Sequence, residues 1–262
     1  MANWSSRMKN WSNHFRFMAT STALSATQDA PRDSLNGDRG YQRLAAQIAA
    51  QISAGEFAMG DRLPSERALA DGYGVSRTSV REAIIALEVQ GLVEVRLGSG
   101  IYVCATAAAA AAAGPLQFSG TPGPFELLRA RCLVESEVAA LAADTRKDTD
   151  LDRIFAALAA MREHMDDKAA NEAADRLFHL RIAEATGNSV LVETVAAMWQ
   201  RTGNPMWSRM DKHFHTPALR LASQEDHERV LAALVARDPT AARAAMRAHL
   251  ERVIAEFTRA WR

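Results

Sequence analysis

Four residues in the second half of the chain have the types and spacing of a metal site. Asp175 and His179 stand four apart in "DRLFHL", which on a helix places a carboxylate and an imidazole on one face. His227 in "QEDHERV" and His249 in "MRAHLERV" fall in two further helical stretches, which an antiparallel arrangement can bring together inside a bundle. Three imidazoles and a carboxylate suit a borderline divalent cation, Zn²⁺ first, with Ni²⁺ and Mn²⁺ as alternatives, and leave coordination positions open for a ligand oxygen. The same residues could instead be solvated or hydrogen-bonded within a core, as helix histidines commonly are, and spacing leaves both readings open.

A second constellation has the chemistry of nucleic-acid contact. Arg77 and Arg81 stand four apart, Arg67 precedes them, and Ser76, Thr78 and Ser79 supply hydroxyls beside them. A guanidinium can fork onto a guanine edge, whereas hydroxyls and free helix-end N–H groups suit phosphate oxygens. The alternative is that these arginines pair with Glu66 and Glu82 as ordinary surface charges. A third pair, Arg131 and Glu135 in "RARCLVESEVAALAA", would place a cation where it can clamp a carboxylate from the side opposite a metal, or would form a simple i, i+4 ion pair.

The elements that must position these groups follow from periodicity. Leu44, Ile48 and Ile52 recur at helical spacing up to Gly55; Ser65 is an N-cap for a short helix ending near Gly72 and Gly74; Ser76 is the N-cap of a third helix to Gln90, closed by Gly91. The pattern then changes to the β-rich runs 92–96 and 101–103, joined by Leu97-Gly98-Ser99-Gly100, which predicts a hairpin. Three helices and a Gly-tipped hairpin are the order of a winged helix-turn-helix, assigned to residues 39–104. An alanine-rich linker, 105–123, follows. Residues 124–262 show helical periodicity over 125–144, 148–168, 170–186, 189–203, 218–236 and 239–260, with Asp238-Pro239 starting the last helix, and no strand pattern. The fold expected is mainly α: a winged helix-turn-helix followed by an all-α bundle.

Composition narrows the function classes. The 31 Lys and Arg balance 31 Asp and Glu, so any nucleic-acid surface must be local and a DNA-compacting protein is disfavoured. Cys104 and Cys132 cannot make a disulfide framework, which fits a reducing cytoplasm. No stretch approaches the roughly twenty strongly apolar residues of a membrane span, so no membrane association is expected. Residues 1–28 carry no acid, superficially like a transit peptide, but lack an h-region and cleavage site, and 1–38 are read as a disordered tail. A metal-dependent hydrolase or lyase is the competing class, yet there is no H-E-x-x-H, no G-x-S-x-G and no Walker loop.

The segment "RLPSERALADGYGVSRTSVREAIIALEVQGLVEVRLGSGIYV", Arg62 to Val103, resembles the N-terminal domain of GntR-family transcription regulators. The resemblance implies that Arg67, Arg77 and Arg81 contact DNA, that Gly98 and Gly100 shape the wing, and that Leu63, Ala70, Val75, Val80 and Leu87 are core. Residues 125–257 resemble the FCD effector domain of the FadR-like subfamily, and Asp175, His179, His227 and His249 fall on its four metal-ligand positions. His14, His164, His213 and His215 match none of them and are left as surface or unassigned residues. Arg131 and Glu135 match the first-helix arginine and glutamate of that pattern, which places them at the effector. "FHLRIAEATGNSVLVETVAAMWQRTGNPMW" is similar to hexuronate-utilisation regulators, although Trp199 and Trp207 are read as core aromatics rather than sugar platforms. The function implied is a homodimeric repressor of a sugar-acid catabolic operon on a palindromic operator. A hexuronate-like carboxylate on the metal would release it, with the alanine-rich linker carrying the coupling.

Overall fold

The computed structural model describes residues 37–96, 98–114 and 121–259. The expected tail lies outside these residues except for Gly37 and Asp38, which open the first helix. Eleven α-helices and one hairpin follow in order: α1 Gly37–Ser53, α2 Glu66–Tyr73, α3 Arg77–Val89, β1 Val93–Arg96, β2 Gly100–Val103, α4 Ala107–Ala112, α5 Pro124–Thr145, α6 Asp148–Glu163, α7 Lys168–Ala185, α8 Ser189–Gln200, α9 Pro205–Phe214, α10 Pro217–Val235 and α11 Pro239–Arg259. A 3₁₀ turn, Arg201–Gly203, joins α8 to α9.

The N-terminal elements form for the local reasons visible in the sequence. Ser65 Oγ accepts from the Ala68 amide at 3.3 Å and Ser76 Oγ from the Ser79 amide at 3.0 Å, so each serine caps its helix. Gly74 closes α2 at φ 65°, in the left-handed region that glycine enters freely. β1 and β2 pair antiparallel with Val93 opposite Val103 and Arg96 opposite Gly100. Tyr41, Leu44, Ile48, Ile52, Leu63, Val80, Ile84 and Leu87 are buried in one core. The alanine run is a helix rather than a loose tether: Thr106 caps α4, which packs on α1 and buries Ala110.

In the C-terminal bundle, α11 packs along α5 and α10, and α6 packs on α7. Two boundaries differ from the periodic reading. Asp167 Oδ1 accepts from the Ala170 amide at 3.1 Å, so a break at 164–167 separates α6 from α7 and starts α7 at Lys168. The stretch between 203 and 218, where no helix was expected, is α9. Asn204 Oδ1 caps it by accepting from the Trp207 amide at 2.9 Å, and Pro205 takes the first helical position.

The two halves share a core. Phe125 and Leu128 of α5, Met206, Met210 and Phe214 of α9, Leu219 and Phe257 all pack into the cluster that contains α1 and α3. Glu82 of α3 accepts from the Phe125 and Glu126 amides at 3.2 Å each, capping the N-terminus of α5 where Gly123 offers no side chain. A Cβ on Gly123 would collide with that carboxylate, so glycine is what lets the two helices meet. Glu88 of α3 binds His213 Nε2 of α9 at 2.9 Å, and Thr78 Oγ1 accepts from Arg129 at 2.9 Å.

Candidate effector site and nucleic-acid interface

The four metal-type residues come from α7, α10 and α11 and meet at the centre of the bundle. Their donor atoms lie within 4.8 Å of one another. Asp175 Oδ1 is 3.5 Å from His179 Nε2 and 3.4 Å from His227 Nε2, and His227 Nε2 is 3.1 Å from His249 Nε2. Ligands at zinc–nitrogen distances around a tetrahedral ion stand about 3.3 Å apart, so the set has the right gauge for a divalent cation. Asp175 Oδ1 and His179 Nε2 are buried without a hydrogen-bond partner among the described residues, a costly arrangement unless an ion fills it.

The surroundings orient the donors. His179 Nδ1 makes a close but poorly aligned contact with Glu135 Oε2, leaving Nε2 turned to Asp175. Asp226, held by Arg252 at 2.7 Å and by Arg229, stands 3.7 Å from His249 Nδ1. Burial, joined by repulsion from neighbouring imidazoles, pushes His227 well below the ordinary histidine value and lowers His249, keeping both in the neutral form that ligates. Burial pulls His179 the same way, but the Glu135 and Asp175 carboxylates outweigh it and raise its pKa.

A cavity of about 300 Å³ opens above the cluster, within the range of small-molecule pockets. Asp175 and His249 form its floor; Arg131, Trp199, Trp207 and His215 are among its walls. Arg131, expected at the effector, lines this cavity: its guanidinium lies 3.8 Å over the Trp199 ring and donates to Glu135 at 2.7 Å. Glu135, expected to meet the effector, is instead enclosed between Arg131 and His179 and is not part of the cavity wall. Its pKa is drawn down to about 2, because the charges of Arg131 and His179 overcome the burial that would raise it. Arg131 thus makes the i, i+4 ion pair and lines the cavity at once. Trp199 is buried in the bundle core and Trp207 packs against the other core, as read from the sequence, and both also line the cavity.

Sequence reasoning missed another part of this cavity's wall. Asp211 and His215 of α9 face Glu172 and Lys168 of α7, and His215 Nδ1 donates to Glu172 Oε1 at 2.9 Å and to Asp211 Oδ1 at 2.8 Å. Burial alone would lower the His215 pKa; the hydrogen bonds to the two carboxylates overcome it and raise it to about 9. His213 and His215, left as surface or unassigned in the sequence, are partly buried, and carboxylates from α3 and α7 engage them. The signals that could have found α9 were Asn204-Pro205 as a helix start and Trp207, Asp211 and His215 at i, i+4 and i+8.

At the other end of the molecule, Arg62, Arg67, Arg77, Arg96, Gly98, Ser99 and Gly100 line a groove between the starts of α2 and α3 and the wing. Arg67 is 85% exposed and Arg77 half exposed, both free to reach a polyanion. Arg81 departs from the expectation. It is 4% exposed and donates from Nε to Glu66 at 3.0 Å, because its place on α3 turns it onto α2 rather than outward. Ser76 spends its oxygen on the α3 cap and on Ser79 Oγ at 2.9 Å. Gly98 at φ 71° and Gly100 at φ 127° make the wing tip, and a side chain at Gly100 would strike the Arg62 guanidinium. Arg62 and Arg96 are groove residues that the sequence reading did not single out.

Two family descriptions match the chain: "Bacterial regulatory proteins, gntR family" over residues 40–103 and "FCD domain" over residues 126–252. The chain is 41% identical over 226 residues to the "Uxu operon transcriptional regulator" of Escherichia coli K12, covering 85% of this chain and 88% of that protein. It is 42% identical over 214 residues to the "Exu regulon transcriptional regulator" of the same strain, covering 80% and 81%. A solved structure of Streptococcus agalactiae GntR aligns with a TM-score of 0.43 at 25% identity, covering 82% of this chain and 99% of that one. These are transcription regulators rather than enzymes, and among the described residues no helix is long and apolar enough to cross a membrane. The chain belongs to the gntR family of bacterial regulatory proteins, with a helix-turn-helix at its N-terminal end and an FCD domain behind it.

Proposed function

We propose that the protein is a cytoplasmic, homodimeric repressor of a sugar-acid catabolic operon, released from a palindromic operator when a hexuronate or its keto derivative binds a metal-bearing cavity. The observation that carries this is the position of α9. Trp207, Asp211 and His215 on one of its faces line the cavity, while Met206, Met210 and Phe214 on the other pack with α3, the helix that would enter the major groove. A ligand shifts an equilibrium only by its differential affinity for two states, and a helix clasped by the cavity on one side and by the reading helix on the other can transmit that difference. Coupling through this packed contact replaces the alanine linker as the expected route.

Asp175, His179, His227 and His249 would hold the ion, Zn²⁺ first, with Ni²⁺ and Mn²⁺ as alternatives. When bound, it supplies a positive centre for the effector's carboxylate on the cavity floor, and Arg131 supplies the second clamp. Arg67 and Arg77 read bases or phosphates, Thr78, Ser79 and the start of α3 take phosphate oxygens, and the Gly98–Gly100 tip lays the wing on the backbone. Similarity to the Uxu and Exu regulators supports the class of effector.

Elemental analysis with a thermal-shift screen tests the site. Metal-replete protein should carry one divalent ion per chain, lost together with part of the stability on His179→Ala. A hexuronate should raise the melting temperature only before chelation. Equal metal in the wild type and a variant lacking all four ligands would overturn the site.

A further inference from the structure

The cavity wall carries a second polar cluster, built differently from the first. His215 is the C-cap residue of α9, and its Nδ1–H is shared between Glu172 at 2.9 Å and Asp211 at 2.8 Å. The Lys168 ammonium bonds Asp211 and stands 3.5 Å from Glu172, so two cations and two anions balance. Carboxylates only accept, which fixes the proton on Nδ1 and the plane of the ring. No described residue bonds Nε2, and His215 lines the same cavity as Asp175 and His249, beside Thr202 and Ser223.

Glu172, Asp211 and His215 also have the residue types of a cation site. The imidazole turns a proton toward the carboxylates, so its Nδ1 has no lone pair for an ion, and the Lys168 ammonium already supplies a cation there. What remains unspent is a donor on the imidazole, with the side chain's charge held by its two neighbours.

We propose that His215, oriented by Asp211 and Glu172, determines effector specificity: its Nε2–H donates to an oxygen on the hydroxylated part of the sugar acid whose carboxylate is held beside Asp175 and His249. The inference rests on the cavity being the effector site. It adds that the protein distinguishes a polyhydroxylated acid from a short α-hydroxy acid at this second cluster. The imidazolium form, favoured by the raised pKa, strengthens the donor without changing the geometry. A site built to bond a ligand hydroxyl discriminates against analogues that lack it, because the protein donor is left unpaired.

Calorimetry on the full-length, metal-replete protein with glycolate, glycerate, gluconate and galacturonate provides the test. Wild-type affinity should climb by about ten- to a hundredfold from glycolate to the longer acids, the worth of one charge-assisted hydrogen bond. His215→Ala and His215→Asn should flatten that climb and leave glycolate binding unchanged; the asparagine variant keeps a donor toward Asp211 in the place of Nδ1 and has none in the place of Nε2, so the result does not hang on one variant's folding. A wild type with no gain along the series, or variants that retain the full gain, would overturn the proposal. So would a second metal equivalent per chain that disappears with His215→Ala. A His215-dependent gain for gluconate with no binding of galacturonate would remove the hexuronate reading and leave the second cluster standing.

Discussion

The groove at the wing and the cavity in the bundle both gather charge, but on opposite plans. In the groove, Arg67 and Arg77 stand in solvent with weak or partial pairing, at 3.7 Å to Asp71 and 3.4 Å to Glu66. At and behind the cavity wall, Arg131, Glu135 and His179 are buried and hold one another in place, and buried Asp226 stands against His249. An exposed guanidinium can be removed at little cost to the fold, whereas a buried charge that loses its partner keeps its desolvation penalty. Binding and stability should therefore separate in the first region and move together in the second.

Arg81 breaks the pattern from inside the reading helix, and gives the largest expected effect. Arg81→Ala would leave Glu66, itself 8% exposed, without its closest cation and should cost about 3–5 kcal/mol of stability, read by urea unfolding. Arg77→Ala should leave the unfolding midpoint in place and weaken operator binding by about 1–3 kcal/mol, read by gel-shift titration. If Arg81→Ala were as stable as the wild type yet deficient in DNA binding, its placement against Glu66 would be wrong and its sequence-based assignment right.

The smallest effect sharpens the boundary between the two regions. Burial raises the Glu82 pKa from 4.5 to about 7, against the amide of Glu126 that would lower it. The folded protein therefore keeps a proton there that the unfolded chain has released. The stability this contributes is complete below the ordinary carboxyl value of 4.5 and is lost as pH rises through about 7. The slope from one proton is at most about 1.4 kcal/mol per pH unit. Glu82→Gln should remove that component from the pH dependence of thermal unfolding, and an unchanged profile would show that the α3–α5 cap does not titrate.

How much of this was legible in the sequence follows the same division. The reading unit is one continuous stretch from Arg62 to Val103, its caps at Ser65 and Ser76 and its glycines at 74, 91, 98 and 100 acting within a turn of their own positions, so local chemistry announces it. The metal-type residues showed as a pattern of types on three helices, and the fold brings them together. Glu135 was placed at the ligand by resemblance and Arg81 at DNA by type and spacing; packing turns Arg81 to Glu66 and encloses Glu135 between Arg131 and His179. α9 escaped because it is only ten residues long, so its apolar stripe of Met206, Met210 and Phe214 is three residues and its other face carries Trp207 among polar groups. The capping of α5 by Glu82 joins residues 43 and 44 positions apart and leaves no local mark.

The central claim is that the cavity and the reading helix are two ends of one device, and operator affinity reports on both. Fluorescence anisotropy with a labelled operator duplex, at fixed salt because phosphate contacts make binding salt-dependent, should be measured with galacturonate and fructuronate, before and after chelation. The account predicts that at least one of these acids weakens operator binding in metal-replete protein, and that chelation or His179→Ala abolishes the response while some operator binding remains. Operator affinity that is indifferent to every sugar acid bound in the cavity, or a response that survives loss of the four ligands, would contradict it.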